Sequence, residues 1–280
     1  FSWRLGTGPV DVSFARETLE QALQDPVSGY SVKLGGIVLE WPDMSGPIVL
    51  QLSDVGLIKN SKEVLNIGKV GLGVSTTHLL RASIKPVSIS LSNSSLHLIR
   101  TEDNRIVLSI EDDNEEIPDD TTDENPLMRI VNTLSRPEGS IDARSPIGHL
   151  RSVEINNATM VMEDHVLGIS WYLQNTNIAF ARTEDGLEVR AGIYLPGGRT
   201  GAAAIQVGAI YDRFKKNFQV TAHVADLDPR IVSRKVESLS FFNDQEIYLD
   251  GDVNLSISDN LEILSAAGSV YAAEGVLNLA

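Results

Sequence analysis

Two stretches of the chain, LSNSSLHLIRTEDN at residues 91–104 and LQNTNIAFARTEDG at residues 173–186, decide how we interpret the fold. They align without a gap, and they share a leucine, an asparagine and the tetrapeptide Arg-Thr-Glu-Asp. Repetition within one chain is typical of proteins that lay copies of one structural unit side by side. We therefore predict that the same unit occurs in both places.

The end of each copy predicts a tight turn. The dipeptides Asp103-Asn104 and Asp185-Gly186 are of the kind that tolerates the positive φ angles of a two-residue type I′ turn. A strand pattern precedes each dipeptide, and RIVLSI or LEVRAGIYL follows it. Each copy is therefore predicted to be one β-hairpin.

The second hairpin is predicted to have one apolar side. A turn at Asp185-Gly186 places Phe180 opposite Ala191 and Ile178 opposite Ile193, while Glu188 points to the other side. A hairpin with one apolar side is not stable alone, so the hairpins should lie side by side in one sheet. We expect a mainly β fold, a long antiparallel curved sheet that forms an open groove.

Three segments carry apolar residues at helical spacing and predict short capping helices. The first starts at Ser13, and the other two begin with the N-cap residues Asn125 and Asp228, each followed by a proline. The side chains predicted to be buried are Phe14, Leu19, Ala22 and Leu23 in the first helix, Leu127, Ile130, Val131 and Leu134 in the second, and Ile231, Val232, Val236 and Leu239 in the third.

Charge and cysteine content limit the possible functions. The net charge of the 280-residue chain is -15, and the run EDDNEEIPDDTTDE at 111–124 contributes nine acidic residues and no basic one. This balance argues against nucleic-acid binding, and the absence of cysteine excludes thiolate metal sites and a cysteine nucleophile. The acidic run predicts a loop or insertion at 111–126 between a first groove unit at 1–110 and a second at 127–280.

Motifs for catalysis or metal binding are weak. The five histidines have no spacing typical of a metal site, PGGRTG at 196–201 is interpreted as a turn, and GLGV at 71–74 lies within a strand pattern. DGDVN at 250–254 could supply calcium ligands, but a polar hairpin turn is the preferred interpretation. An enzyme acting on envelope carbohydrate would need paired carboxylates, and the candidates are Asp226 with Asp228, and Glu163 with Asp164.

The order of several motifs resembles the amino-terminal periplasmic part of AsmA-like envelope proteins, with the YhdP-type branch the most similar. These motifs are a strand ending in tryptophan, an Asp-Val strand, a short Leu-Leu helix, an Ile-x-Pro strand, an Arg-to-Asn hairpin, and an Asn-Ala strand that opens the next unit. In this chain the corresponding residues, in the same order, are Trp41, Asp54-Val55, Leu79-Leu80, Ile84 with Pro86, Arg100 to Asn104, and Asn157-Ala158 followed by Asp164 and Trp171.

The resemblance implies a bridge-like lipid transfer protein, related to TamB and the chorein-type proteins, with no cofactor and no catalytic group. Such a protein conducts phospholipid between the inner and outer membranes of a Gram-negative bacterium. It implies a periplasmic location, an inner-membrane anchor before Phe1, and contact with outer-membrane components. The alternative is a non-transporting scaffold, or an outer-membrane assembly factor, that acts through protein contacts. The residues expected to line the lipid groove are Ile178, Phe180, Val189, Ala191 and Ile193 of the second hairpin, with Leu96 and Leu98 of the first.

Overall fold

The computed structural model describes residues 8–22, 30–41, 47–59, 62–75, 86–102, 106–109, 131, 134–137, 149–199, 201–259 and 262–276. β-Strands dominate these residues and join into one open, unclosed sheet of 15 strands. This confirms the predicted mainly β fold built on a long open sheet. The strands are β1 (Val10–Asp11), β2 (Tyr30–Lys33), β3 (Gly36–Glu40), β4 (Ile48–Lys59), β5 (Lys62–Val74), β6 (Pro86–Ser92), β7 (Ser95–Arg100), β8 (Ile106–Ser109), β9 (Ser152–Asp164), β10 (Ile169–Arg182), β11 (Gly186–Pro196), β12 (Ala202–Asp212), β13 (Asn217–Leu227), β14 (Glu246–Ser258) and β15 (Ile263–Val276).

One pairing departs from the predicted antiparallel order. The main path through the sheet is β1-β3-β4-β5-β6-β9, followed by β10 to β15 in chain order. Along this path β6 and β9 are parallel, with Ser88 opposite Ser152 and Ser92 opposite Asn156. Strands joined by a tight turn must be antiparallel, whereas β7, β8 and a long connection separate β6 from β9 and let the chain return in the same direction.

The described residues fall into two compact units. The first holds β1 to β6 and the beginning of β9, and the second holds the end of β9 and all of β10 to β15. Strand β7 is divided between the units after Leu96. The predicted boundaries near 110 and 127, the acidic run at 111–124 and the Leu79-Leu80 helix lie outside the described residues.

The first unit has a core of alternating strand residues. Leu34, Ile37 and Leu52 are buried together there, as the alternation in β2 to β4 predicts. The glycine pair Gly35-Gly36 interrupts the strand, because β2 and β3 pair separately with β4 on either side of Gly35. A Cβ atom on Gly35 would lie 2.8 Å from the Cβ of Asp54, which has a positive φ of 48°. Glycine is therefore needed at position 35, where the backbone closely approaches Asp54 of β4.

The predicted first helix begins at Ser13, as expected. It consists of a 3₁₀ turn at Ser13–Ala15 followed by α1 (Arg16–Ala22). Leu19 packs against the core of the first unit, but Phe14 is 86% exposed, so its predicted burial is wrong. Phe14 lies in the 3₁₀ turn before the α-helix, so it does not follow the helical spacing on which its burial was predicted.

The predicted second helix is described in part. Val131, Leu134 and Ser135 are helical and buried, which agrees with the predicted burial of the two apolar residues. The start of this helix, with its predicted cap at Asn125, lies outside the described residues.

The predicted third helix divides into α2 (Pro229–Ser233) and a 3₁₀ helix at Glu237–Asp244. Asp228 is its N-cap, as predicted, because its carboxylate accepts the amide hydrogen of Arg230. The predicted burial is wrong for Leu239, which is exposed, whereas Ile231, Val232 and Val236 are half-buried and Pro229 and Ser233 are buried. The change to 3₁₀ geometry shifts the side-chain period, and Ser233 Oγ donates a hydrogen bond to Asn243 Oδ1 that ties the two helices together.

In the second hairpin the two-residue turn lies one residue earlier in the chain than predicted. Phe180 lies opposite Val189, and Thr183 N–H donates to Gly186 O at 3.0 Å, so the turn is centred on Glu184 and Asp185. Gly186 begins β11 instead of completing the turn, and its φ is not positive. Because the shift moves each partner by two residues, the predicted sides of both strands are unchanged.

The two copies of the repeat share one feature of backbone geometry, an asparagine with a positive φ angle. Asn93 and Asn175 occupy the same place in the two copies, and their φ angles are 55° and 53°. Around Asn175 the register between β10 and β11 shifts, which marks a β-bulge. Bulges bend a strand and increase its twist, so this shared asparagine introduces a bend into β10.

Candidate functional site

A row of apolar side chains crosses the strands of the second unit on one side of the sheet. Phe180 on β10 lies opposite Val189 on β11, which lies opposite Ala209 on β12. The row continues through Val220 on β13 to Leu255 on β14. Directly opposite residues of antiparallel strands share a side, so all five project the same way.

Two further rows run beside this one, and together they form what we call the apolar face. Alternate residues of each strand share a side, so the second row begins with Ile178 and Ala191, and the third with Ile193 and Ile205. No charged or polar side chain interrupts the three rows from β11 to β14. The apolar face consists of Ile178, Phe180, Val189, Ala191, Ile193, Ile205, Val207, Ala209, Val220, Ala222, Val224, Val253 and Leu255.

Burial distinguishes the middle of the apolar face from its ends. Every member except Phe180 is half-buried. The flanking residues on the same side are buried, with Leu187 and Tyr211 beyond one end and Leu195 and Ala203 beyond the other. Packing of a second layer on the middle rows would bury them as completely as Leu187, which is 0% exposed.

Two arginines hold the helical residues Leu134 and Ser135 at the first end. Arg213 Nη1 donates to Ser135 O at 3.2 Å, and Arg182 Nη1 donates to Arg136 O at 2.8 Å. Leu134 is buried, as are Leu187 and Tyr211 of the flanking row. Basic side chains commonly bind the free carbonyls at a helix C-terminus. The two hydrogen bonds therefore hold the C-terminal end of this helix near the first end of the apolar face.

The connection between β13 and β14 crosses the second end. A Cβ atom on Gly197, in the turn between β11 and β12, would lie 2.8 Å from Ile231 Cδ1 of α2. Further along, Lys235 Nζ donates to Ser170 O on β10 and lies 4.8 Å from the centre of the Trp171 ring. The connection thus reaches from β13 to β10, and we call residues 229–244 the cap.

A buried ion pair anchors the start of the cap. Both Asp228 oxygens accept hydrogen bonds from the Arg230 guanidinium, at 2.9 to 3.1 Å. Burial disfavours the charged form of Asp228, but the hydrogen bonds from the side chain and backbone of Arg230 hold its pKa below the ordinary value. The carboxylate is therefore charged at neutral pH and fixes the N-terminus of α2.

The opposite side of the same strands is polar. Arg190 pairs with Glu188 at 2.7 Å, and His223 Nδ1 lies 2.9 Å from Asp252 Oδ1. Gln219 Nε2 donates to Ser256 Oγ across β13 and β14 at 2.9 Å. These contacts are typical of a solvated sheet surface, so the two sides of the second unit differ sharply in polarity.

The structure brings five of the seven predicted lining residues together. Ile178, Phe180, Val189, Ala191 and Ile193 all belong to the apolar face. Leu96 and Leu98 lie instead on β7, which pairs with β8 and β9, and the registers that define the face do not include them.

Sequence reasoning missed the larger part of the apolar face. Val220 and Ala222 of β13 alternate with Gln219, Thr221 and His223, which is typical of a strand with one apolar side. The missing information was the register across β11 to β14, which decides whether the apolar sides of neighbouring strands coincide.

A small polar cluster also escaped the sequence reasoning. His97 Nε2 and His165 Nε2 lie 3.2 and 3.4 Å from the two carboxylate oxygens of Glu163. These histidines are 68 positions apart in the chain and meet because β7 pairs with β9. Within the described parts of the chain, no group of histidine and acidic residues has an arrangement that could hold a metal ion.

The carboxylates considered for catalysis or calcium binding have structural partners. Asp226 accepts from Arg199 at 2.6 Å, and Asp164 accepts from Arg100 at 3.1 Å. The preferred interpretation of DGDVN as a hairpin turn is wrong, because these residues lie within β14. There Asp250 Oδ1 accepts the amide hydrogen of Asp226, whose positive φ marks a bulge in β13.

Comparisons of the chain with protein-family models, with curated proteins and with solved structures return no match. The described helices include none with the length and hydropathy needed to span a membrane.

Proposed function

We propose that the apolar face binds phospholipid acyl chains, and that the chain serves as a periplasmic part of a bridge-like lipid transfer protein. One observation carries the proposal. The middle rows of the apolar face are contiguous and half-buried, although the residues that flank them on β11 and β12 are buried. A continuous apolar surface of this kind is typical of an interaction site.

The dimensions of the apolar face suit an acyl chain. Strands are spaced by about 4.8 Å, so the apolar face measures about 19 Å across the sheet from β10 to β14. Each leaflet of a bilayer contributes about 15 Å of hydrocarbon. A fatty-acid chain lying across the strands would therefore be accommodated by this surface.

The energetics favour conduction without a catalytic group. Each methylene that leaves water contributes about 0.8 kcal/mol, so two long acyl chains cannot cross an aqueous gap at a useful rate. A continuous apolar surface lowers this barrier, because each methylene exchanges one apolar contact for another. The polar opposite side would keep such a protein soluble in the periplasm between the inner and outer membranes.

The motif order that resembles AsmA-like proteins agrees with this proposal. Its residues Asn157-Ala158 and Asp164 lie on β9, and Trp171 lies on β10. The resemblance also suggests anchoring in the inner membrane and contacts with outer-membrane components, and both remain part of the proposal.

Native mass spectrometry of the purified chain tests the proposal. We expect co-purified phospholipid on the unaltered protein and at least tenfold less on Val207→Asp, because a carboxylate in the middle row is costly to bury beside hydrocarbon. Gln206→Asp is the matched control, since it adds the same charge to the polar side of β12, and it should retain the lipid.

Two results would contradict the proposal. One is a protein that is free of lipid in every preparation, which would favour the alternative of a non-transporting scaffold or outer-membrane assembly factor that acts through protein contacts. The other is equal lipid content in Val207→Asp and Gln206→Asp, which would place the lipid away from the apolar face.

A further inference from the structure

The turn between β12 and β13, at residues 213–216, combines an exposed aromatic ring with three basic side chains, and we call it the basic tip. It is the densest group of basic residues in a chain whose net charge is -15. Phe214 is 72% exposed, and the side chain of Lys215 is 74% exposed although it pairs with Asp212 at 3.1 Å. Hairpin turns are normally polar, so an exposed ring at this place indicates an interaction site.

Hydrogen bonds and a ring contact fix the conformation of the basic tip. Asp212 Oδ1 accepts the amide hydrogens of Phe214 and Lys215 at 2.9 and 3.0 Å. On the two strands that lead into the turn, the rings of Tyr211 and Phe218 lie 4.7 Å apart between their centres. The exposure of Phe214 is therefore a built-in feature of the hairpin.

Lys216 occupies a backbone position that glycine would fill more easily. Its φ is 52°, in the left-handed region that disfavours residues with a Cβ atom. The turn between β9 and β10 has the same hydrogen bonds from Asp164, but there the positive φ belongs to Gly168. A lysine at a position that favours glycine indicates a role for its charge.

The neighbouring turns contact the basic tip at its first and last residues. Arg213 N–H donates to Asp185 O, and Asp259 N–H donates to Lys216 O, both at 3.1 Å. The apex with Phe214 lies between these two contacts. Because both neighbouring turns carry acidic residues, the positive charge at this end of the sheet is concentrated on the basic tip.

We propose that the basic tip docks on the surface of a lipid bilayer that contains anionic phospholipid. Phe214 enters the headgroup region, where aromatic rings are favoured, and the basic side chains bind lipid phosphates. An acidic protein is the less suitable partner, because a single ring with three basic residues is much smaller than a stable protein interface. A bilayer requires no matching shape, so a small projecting tip is sufficient.

Docking at this tip also orients the apolar face. β12 and β13 carry Ala209 and Val220 of that face, and both strands run directly into the tip. The first end of the apolar face would then lie at the bilayer, where acyl chains are available. The docking itself rests on the basic tip and not on the proposed binding of acyl chains.

Co-sedimentation of the purified chain with lipid vesicles tests the proposal. We expect binding to vesicles of phosphatidylcholine mixed with phosphatidylglycerol, weaker binding at high salt, and little binding to phosphatidylcholine alone. Phe214→Ser should weaken binding by about tenfold or more, because no ring leaves water on docking.

Val166→Ser is the matched control. Val166 is an exposed apolar residue in the β9–β10 turn, which shares the geometry of the basic tip but lacks its lysines. The two turns lie at opposite ends of the sheet, because β10, β11 and β12 alternate in direction. Val166→Ser should therefore bind vesicles as the unaltered protein does.

Lys216→Gly separates the loss of charge from a loss of folding. It should weaken vesicle binding about fivefold, as expected for one basic residue near an anionic surface. It should not lower the midpoint of thermal unfolding, because glycine adopts this φ without strain.

The proposal is overturned if the unaltered protein does not bind anionic vesicles, or if it binds both kinds of vesicle equally. It is also overturned if Phe214→Ser binds as tightly as the unaltered protein, or no more weakly than Val166→Ser. Phe214 lies outside the apolar face, so Phe214→Ser should retain co-purified phospholipid in native mass spectrometry. The docking and the binding of acyl chains can therefore fail separately.

Discussion

At the scale of single residues, glycine has two distinct roles in β11. A Cβ atom on Gly186 would lie 1.9 Å from the carbonyl oxygen of Tyr211, where β11 and β12 are in close contact. A Cβ atom on Gly192 would meet nothing within 4 Å. The sequence indicated a turn residue at Gly186, but the requirement there is for close approach of a neighbouring strand.

These two glycines give a matched test of stability. We expect Gly186→Ala to lower the free energy of unfolding by about 1 to 3 kcal/mol, because β11 and β12 must separate to admit the methyl group. Gly192→Ala should be neutral or stabilising by up to about 1 kcal/mol, since alanine restricts the unfolded chain. Urea denaturation of both variants measures the difference. Equal effects would show that the approach of β12 does not decide the choice of glycine.

Asp228 links the stability of the cap to pH. Because its pKa is lowered in the folded protein, the ionised carboxylate adds stability above the ordinary pKa of about 4. This contribution is lost as the pH falls below 4 through the folded value. Asparagine is also a good N-cap residue, so Asp228→Asn should keep the N-cap hydrogen bond to α2 while removing the charge of the carboxylate.

We expect Asp228→Asn to lower the free energy of unfolding by about 1 to 2 kcal/mol at pH 7, where the charged hydrogen bonds to Arg230 are lost. At pH 3 the difference between the variant and the unaltered protein should be smaller, because the contribution of the carboxylate is lost progressively below pH 4. Urea denaturation at both pH values is the measurement. A difference that persists unchanged at pH 3 would contradict the assigned role of the carboxylate.

At the scale of elements, hairpins were easier to predict than the connections between them. The alternation in β10 to β14 and the repeated Arg-Thr-Glu-Asp predicted strands and a hairpin in the right places. The parallel pairing of β6 with β9 could not be predicted, because it depends on a long connection and not on local pattern. The bulge at Asn175 had a signal in the asparagine that the two copies share, which a periodicity of two does not detect.

The apolar face, too, could be predicted only in part from local sequence pattern. Strand alternation identifies an apolar side for each strand, but it leaves open which sides share a surface. Burial of the cap residues failed for a related reason, because the change from α2 to a 3₁₀ helix altered the period on which the prediction rested.

The cap has a specific attachment that can be tested as an element. Lys235 is its contact with β10, through Ser170 O and the Trp171 ring. Lys235→Ala should increase amide hydrogen exchange in residues 229–244 by about two- to fivefold, since a cation–π contact contributes about 0.5 to 1 kcal/mol. Exchange in β12 should not change.

Arg190→Ala is the control for this experiment, because it removes an ion pair from the polar side without touching the cap. The assigned attachment is contradicted if Lys235→Ala leaves the exchange of the cap unchanged, or if Arg190→Ala accelerates it equally.

At the scale of the whole molecule, the account depends on one difference between the two sides of the second unit. The apolar face is uncharged and half-buried, and the other side carries ion pairs and polar contacts. Alternation within strands and register between strands together produce this difference. The proposed binding of acyl chains depends on this difference.

Photocrosslinking along β12, in cells that supply phospholipid, tests the central claim most directly. A photoreactive residue would be placed in turn at each position from Ile205 to Ile210, and lipid adducts would be quantified by mass spectrometry. We predict adducts at Ile205, Val207 and Ala209, and none at Gln206 or Ile210. Ile210 decides the matter, because it is apolar and 57% exposed but lies on the polar side, opposite Gln219. Labelling of Ile210 as strong as that of Val207, or no labelling at Val207, would contradict the account.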